Sequence, residues 1–444
     1  MRLVVLGGGG FRVPLVHARL LHDPDRLVDE LVLHDVDPAR LRAIGAVLEQ
    51  QASGASWLRV RTTGDLDTAL AGADVVFSAI RVGGLTGRTL DERVALRHGL
   101  LGQETVGVGG ICYALRTVPV AVRIAERMAR LAPDAWLINF SNPAGVVTEA
   151  VSAILGDRVV GICDSPVGLC RRVATALDVP YSDAWFDYVG LNHLGWLRGV
   201  LVDGRDRLPA LFADEQALTS FEEGKLFGAG WLRTLRAIPN EYLHYYYYAR
   251  ETLAQLQEQP STRGEFLREQ QEGFYRRVAE RPGDALRLWE HTRDERERTY
   301  LAEGRAVSGA GERASCDLDG GGYERVAVAL MTAIAKNRTS TLILNVPGRG
   351  AVSELDPDAV VELPCVVDGN GPRPVTAGPI PEHCAGLMRQ VKAAERATIS
   401  AAITRSREQA LLAMATHPLV DSVAVAERVL DEYVAAFGEL ADLG

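Results

Sequence analysis

Residues 2–35 read RLVVLGGGGFRVPLVHARLLHDPDRLVDELVLHD. RLVVL is a short β-rich run, the four glycines at 7–10 make a turn, and residues 13–21 carry a helical pattern. ELVLHD is a second strand that ends at Asp35. A strand, a glycine turn and a helix are the parts of a dinucleotide site. Glycines let a pyrophosphate approach the backbone, and the helix N-terminus offers amide donors and a positive dipole end. Gly7, Gly9 and Gly10 are the expected phosphate-side residues. Asp35 is placed to accept hydrogen bonds from a ribose diol, which favours NAD over NADP. Arg12 stands where the third glycine of the fingerprint falls, and Asp35 comes somewhat later than the usual ~20 residues.

Outward from this unit the pattern repeats. VRTT near 60, DVVFSAI at 74–80, AWLINFS at 135–141 and RVVGICD at 158–164 read as further strands, with DERVALRHGL and VPVAVRIAERMARLA as helices between them. Such alternation implies βαβ units and a parallel sheet. YVGLNHLGWLRGVLV, 188–202, switches to the longer alternation of antiparallel strands, with the cluster GLNHLGW expected on a strand. Beyond 205 the chain reads mostly helical, with the charged stretch 292–298 as a solvated surface. One more β-rich region covers about 340–367, and long helices follow from 382. The expectation is an α/β protein: a Rossmann-like parallel sheet of the lactate/malate dehydrogenase type over 1–195, and an α+β substrate and oligomerisation domain over 196–444.

Composition narrows the function. The 444 residues are 47% hydrophobic and 24% charged, ordinary globular usage that excludes collagen, coiled coil and wholesale disorder. Lys and Arg number 48 against 58 Asp and Glu, a net charge of −10 that argues against nucleic-acid or membrane-surface binding. No targeting signal or membrane span is read, and six scattered cysteines suit free thiols in a reducing cytoplasm.

Six polar clusters follow the strand ends or stand nearby: IRVGGLTGR (80–88), GQETVGVGG (102–110), NFSNPAG (139–145), GICDSP (161–166), GLNHLGW (190–196) and IPNEYLHYYYY (238–248). Open α/β sheets bind ligands at those ends. Cys163 and His193 make a thiolate–imidazole pair suited to Mn²⁺, Fe²⁺, Co²⁺, Ni²⁺ or Zn²⁺ rather than Mg²⁺, although each alone fits a structural role equally well.

Taken in order, these motifs resemble the NAD-dependent family 4 glycoside hydrolases, the 6-phospho-α- and 6-phospho-β-glucosidases with their α-galactosidase and α-glucuronidase relatives. The resemblance runs from residue 3 to beyond 390. It implies a small sugar substrate, a bound NAD, a divalent cation (typically Mn²⁺) and a dimer or tetramer. It also implies an elimination instead of direct displacement: oxidation at C3, removal of the C2 proton, loss of the aglycone from C1, then addition of water and return of the hydride. Position by position, Cys163 and His193 match the metal ligands, Tyr242 the base, Asn142 and Arg88 substrate contacts, and Asp164 the acid beside the cysteine. Arg81 is a further candidate for sugar phosphate, and Glu104 in the GQET motif for the cofactor. Asp164 fits a helix N-cap equally well, and some of residues 245–248 fit a packed helix face.

Departures from the family bear on the glycone. The usual Ser-Tyr-Thr-Pro-Glu after the glycines is Phe11-Arg12-Val13-Pro14-Leu15, the Arg-Gly-Gly is replaced around 319–322, and the Asn-Asn-Gly turn becomes Pro347-Gly348-Arg349-Gly350. Arg12 and Arg349 are the candidates to compensate. The leading reading is a 6-phospho-β-glucosidase; the others are a 6-phospho-α-glucosidase, a glycosidase of unphosphorylated sugars, and a hydroxy-acid dehydrogenase on the same fold.

Overall fold

The computed structural model describes residues 1–54, 57–299, 302–309 and 322–444. The altered segment at 319–321 therefore lies outside the described residues. Six parallel strands form one half of a sheet: β1 (Arg2–Leu6), β2 (Glu30–His34), β3 (Arg59–Thr63), β4 (Val75–Ser78), β5 (Trp136–Asn139) and β6 (Val159–Gly161). Their spatial order is 3-2-1-4-5-6, the doubly wound order of dinucleotide-binding sheets. β1, β2 and β4 are almost wholly buried, which is why they read as continuous apolar runs instead of alternating ones. The chain adds β2 and β3 on one side of β1 and then crosses to add β4, β5 and β6 on the other, and the crevice at the carboxyl ends of β1 and β4 is the expected ligand position.

The sheet continues past β6. β11 (Ser340–Pro347) joins it antiparallel, with Asn345 opposite Gly161. Glycine is required at this junction, because a Cβ on Gly161 would lie 2.5 Å from Thr148 Oγ1 and 2.8 Å from the Asn345 Cβ. Then come β12 (Val360–Asp368), β7 (Trp185–Leu191), β8 (Leu194–Val202) and β10 (Ile238–Pro239), while β9 (Arg205–Asp206) pairs with β8 and β13 (Gly371–Pro374) with β12. Residue 195 falls on β8, inside this continuous sheet.

Two expectations need correction. GLNHLGW is not a single strand: Asn192 and His193 form the turn of the β7–β8 hairpin, with His193 at φ +62°. The stretch 292–298 is not uniformly solvated. It ends the helix Ala285–Arg298, in which Ala285, Trp289 and Thr292 are buried and Arg296 follows on the same face. Among the described helices, Gly107–Leu131 alone is long and apolar enough to cross a membrane, and 78% of its apolar window is buried, packed by the helices Ala144–Leu155 and Glu382–Thr404.

Candidate active site

The glycine turn is held tightly from both sides. Gly7 has φ +80°, and a Cβ there would meet the Ala79 carbonyl oxygen at 2.6 Å; a Cβ on Gly9 would meet Arg40 Cβ at 2.7 Å. Asp35 accepts from the backbone N–H groups of Gly9 at 2.9 Å and Asp37 at 3.0 Å, so its carboxylate is fixed at the end of β2. The helix Val13–Leu21 begins directly afterwards, with a proline in its first turn and no side-chain cap. Aromatic groups from far along the chain seize the loop's carbonyls. Tyr275 Oη donates to Gly9 O at 2.7 Å, Trp289 Nε1 to Phe11 O at 2.8 Å and Tyr323 Oη to Arg12 O at 2.6 Å. None of these three donors was singled out in the sequence, where each reads as an ordinary core aromatic. A cradle in which side chains would collide with backbone and with Asp35 fits a dinucleotide.

The loop 102–110 forms the next wall. Glu104 accepts from Arg88 Nη1 at 2.7 Å, from Asn142 Nδ2 at 3.2 Å and from Arg81 Nη2. Arg88 also pairs with Glu92 at 2.9 Å. The Arg81 and Arg88 guanidiniums hold the Glu104 carboxyl well below the usual carboxylate range in spite of its burial. Glu104 thus joins Arg81, Arg88 and Asn142 into one rigid group.

NFSNPAG divides its labour. Asn139 Nδ2 donates to Ser141 O and Ala144 O, and Ser141 Oγ accepts from the Ile80 N–H at 3.0 Å. These two residues build the turn that carries Asn142 to the pocket. Cys163 and Asp164 follow β6; Asp164 is the N-cap residue of Ser165–Ala176, yet its side chain makes no capping bond and pairs with Arg12 at 3.2 Å.

β10 delivers the tyrosine. Ile238 and Pro239 pair with β8, Asn240 Oδ1 accepts from the Tyr242 N–H at 3.1 Å, and Glu241 accepts from Ser165 Oγ at 3.1 Å. The Tyr242 ring consequently lies flat on the His193 imidazole, with centroids 3.7 Å apart and planes within 2°. Tyr247 Oη accepts from Trp196 Nε1 and Tyr248 Oη donates to Phe227 O, so these two are structural.

Gly7, Gly10, Arg81, Arg88, Glu104, Asn142, Cys163, Asp164, His193 and Tyr242 all line one pocket; Gly9 and Asp35 stand behind its nucleotide end. Cys163 and His193 are buried, 4% and 6% exposed. Burial pushes the Cys163 thiol up and lowers the His193 imidazole to about 4, with Glu104 and Asp164 partly opposing the latter. A neutral imidazole and a thiol that a cation would deprotonate fit a divalent metal. Among the described residues no group of three or more His, Cys, Asp or Glu is placed to hold a metal ion.

The sequence reading missed the cations on the opposite wall, Arg263 and Arg296. Arg263 donates to Thr299 Oγ1 at 2.7 Å and to Arg296 O at 3.0 Å. The Arg296 guanidinium makes no hydrogen bond or ion pair among the described residues. Burial and the neighbouring charges of Arg12, Arg263 and Arg88 push its pKa down, with Glu297 partly opposing them. Arg12 reaches the pocket and lies over the Tyr323 ring at 5.0 Å, whereas Arg349 pairs with Asp157 elsewhere.

The crevice of a Rossmann-like sheet thus gathers a thiol, an imidazole, a phenol and several arginines. Residues 2–179 match the family 4 glycosyl hydrolases and 188–420 match their C-terminal domain, so the chain belongs to this family. It is 32% identical to a probable 6-phospho-beta-glucosidase of Bacillus subtilis, over 98% of this chain and 96% of that one. It is 30% identical to a 6-phospho-alpha-glucosidase of Leptotrichia buccalis, over 98% and 97%. The crystal structure of the Thermotoga maritima 6-phospho-beta glucosidase with manganese, NAD⁺ and glucose-6-phosphate superposes with a TM-score of 0.81 at 27% identity, covering 98% of each chain.

Proposed function

We propose that this protein cleaves 6-phosphoglucosides, the β-anomers first, by elimination across C1 and C2 with NAD⁺ and a divalent cation. The observation that carries the phosphate is Arg296. Glu104 and Glu92 already match the charges of Arg81 and Arg88, and Asp164 that of Arg12. Among the described residues the Arg296 guanidinium makes no ion pair; Glu297 offsets only part of the repulsion by Arg12, Arg263 and Arg88, and an anion there would relieve the rest.

Gly7, Gly9, Gly10 and Asp35 would hold NAD⁺, and Cys163 and His193 the metal. Bound, NAD⁺ would take and later return the C3 hydride, while the cation would polarise the C3 oxygen and acidify C2. The chain's own groups then act as follows. Tyr242 takes the C2 proton on its phenolic oxygen. Arg88, within electrostatic reach of that oxygen, is the kind of neighbour a phenolate base needs. Asn142, braced by Glu104, orients the sugar. Asp164, once its pair with Arg12 is broken and it has taken a proton from solvent, passes that proton to the leaving glycosidic oxygen. The α-anomeric reading is favoured by Asp164, because Asp instead of Asn beside the cysteine resembles the α-glucosidase branch of the family.

The test is a panel of α- and β-nitrophenyl glucosides, with and without 6-phosphate, assayed with NAD⁺, Mn²⁺ and reductant. The phosphorylated β-glucoside is expected to turn over and its unphosphorylated counterpart to be inert. Equal turnover of the two would remove the phosphate from the account.

A further inference from the structure

The loop 102–110 does more than place Glu104. Its glycines are packed without slack: a Cβ on Gly107 would meet Leu101 O at 2.2 Å, one on Gly109 would meet Gln103 O at 2.9 Å, and one on Gly110 would meet the Thr105 carbonyl carbon at 2.5 Å. A larger residue at 110 would displace the backbone of Thr105 itself, and one at 107 or 109 would displace the loop beside it at Leu101 or at Gly102 and Gln103. The Thr105 Oγ1 so fixed lies 2.6 Å from His193 Nδ1. The imidazole is confined from other directions as well. Tyr242 covers one ring face, the hairpin turn sets the backbone at φ +62°, and neighbouring Asn192 donates to Glu362 Oε1 at 3.3 Å.

We propose that Thr105 is a positioning residue for the metal site: its hydroxyl oxygen accepts the Nδ1–H of His193, fixing the tautomer whose Nε2 lone pair is offered to the cation. A neutral imidazole has one N–H, so the atom bonded at Nδ1 decides what Nε2 can do. Were Thr105 the donor, Nε2 would carry the hydrogen and could not ligate. Partners of this kind orient histidine ligands, and losing them costs metal affinity about 10–100-fold. The inference rests on the reading of His193 as a ligand.

The experiment is Mn²⁺ titration of the full chain, followed by the electron paramagnetic resonance signal of the free ion. Wild type is compared with Thr105→Ser, Thr105→Val and Thr105→Ala, and thermal unfolding in chelator checks each fold. Thr105→Val is expected to weaken Mn²⁺ binding about 10-fold or more with an unchanged Tm, and Thr105→Ser to stay within about threefold of wild type. Should Thr105→Val not fold, Thr105→Ala carries the same expectation. A folded Val or Ala variant that binds Mn²⁺ like wild type overturns the proposal, as does a Ser variant as weak as Val. Absence of saturable binding in wild type, or its persistence at full affinity in Cys163→Ala and His193→Ala, would instead sink the ligand assignment beneath it.

Discussion

The Tyr275 hydroxyl donates to the Gly9 carbonyl at 2.7 Å across a separation of 266 residues, so the helix Arg263–Glu280 helps set the shape of the nucleotide loop. Tyr275→Phe removes one bond of roughly 0.5–1.5 kcal/mol. NAD⁺ affinity, read by quenching of intrinsic fluorescence, is expected to fall about 2–10-fold, while glucose 6-phosphate affinity stays within about twofold. An unchanged NAD⁺ affinity would mean that the loop holds its form without this contact.

Arg296→Gln keeps a polar side chain but shortens it and removes its charge. Charge-assisted hydrogen bonds contribute about 1.5–3 kcal/mol. KM for a 6-phosphoglucoside is therefore expected to rise at least about 10-fold, with a much smaller change in kcat. A KM equal to wild type would place the phosphate elsewhere on the wall.

Tyr242→Phe deletes the proposed base but keeps the ring that covers His193. A positioned base contributes about 10²–10⁴-fold. The variant is expected to lose that much of kcat while binding NAD⁺ and Mn²⁺ normally. Retention of most of the activity would assign proton removal to another group.

Glu362 is buried and accepts from Tyr188 Oη, Asn192 Nδ2 and Asn345 Nδ2, with no cation among these partners. Burial raises its carboxyl to about 7. Its folded pKa thus lies above its unfolded one, near 4.5, and the unfolded state releases the proton first as pH rises. Stability should fall between about pH 4.5 and 7 and stay reduced above that range. Unfolding in chelator should show Glu362→Gln gaining about 2–4 °C in Tm relative to wild type between pH 5 and pH 8. Parallel Tm profiles for the two proteins would contradict this.

The nucleotide half was legible because its signals are local. RLVVL, the glycines and Asp35 lie within one βαβ unit, and buried parallel strands declare themselves as apolar runs. The pocket-lining motifs were legible too, as residues whose types suit chemistry at strand ends. Arg263 and Arg296 were not, because an arginine in a charge-rich helix looks solvated until the helix face is drawn; Trp289 and Thr292 at helical spacing before Arg296 held that information. The His193 turn was hidden for a different reason. Nothing in Leu-Asn-His-Leu marks a positive φ except Asn192 itself, and a histidine adopts it here with Thr105 and Tyr242 on either side. The aromatic donors to the loop carbonyls depend on contacts across more than 260 residues, which periodicity cannot report.

Removal of the C2 proton of the sugar separates elimination from direct displacement at C1. Turnover of a 6-phosphoglucoside in deuterium oxide, with NAD⁺ and Mn²⁺ present, tests it directly. Deuterium at C2 of the released glucose 6-phosphate is the predicted result. Product that retains its original hydrogen at C2 throughout would contradict it.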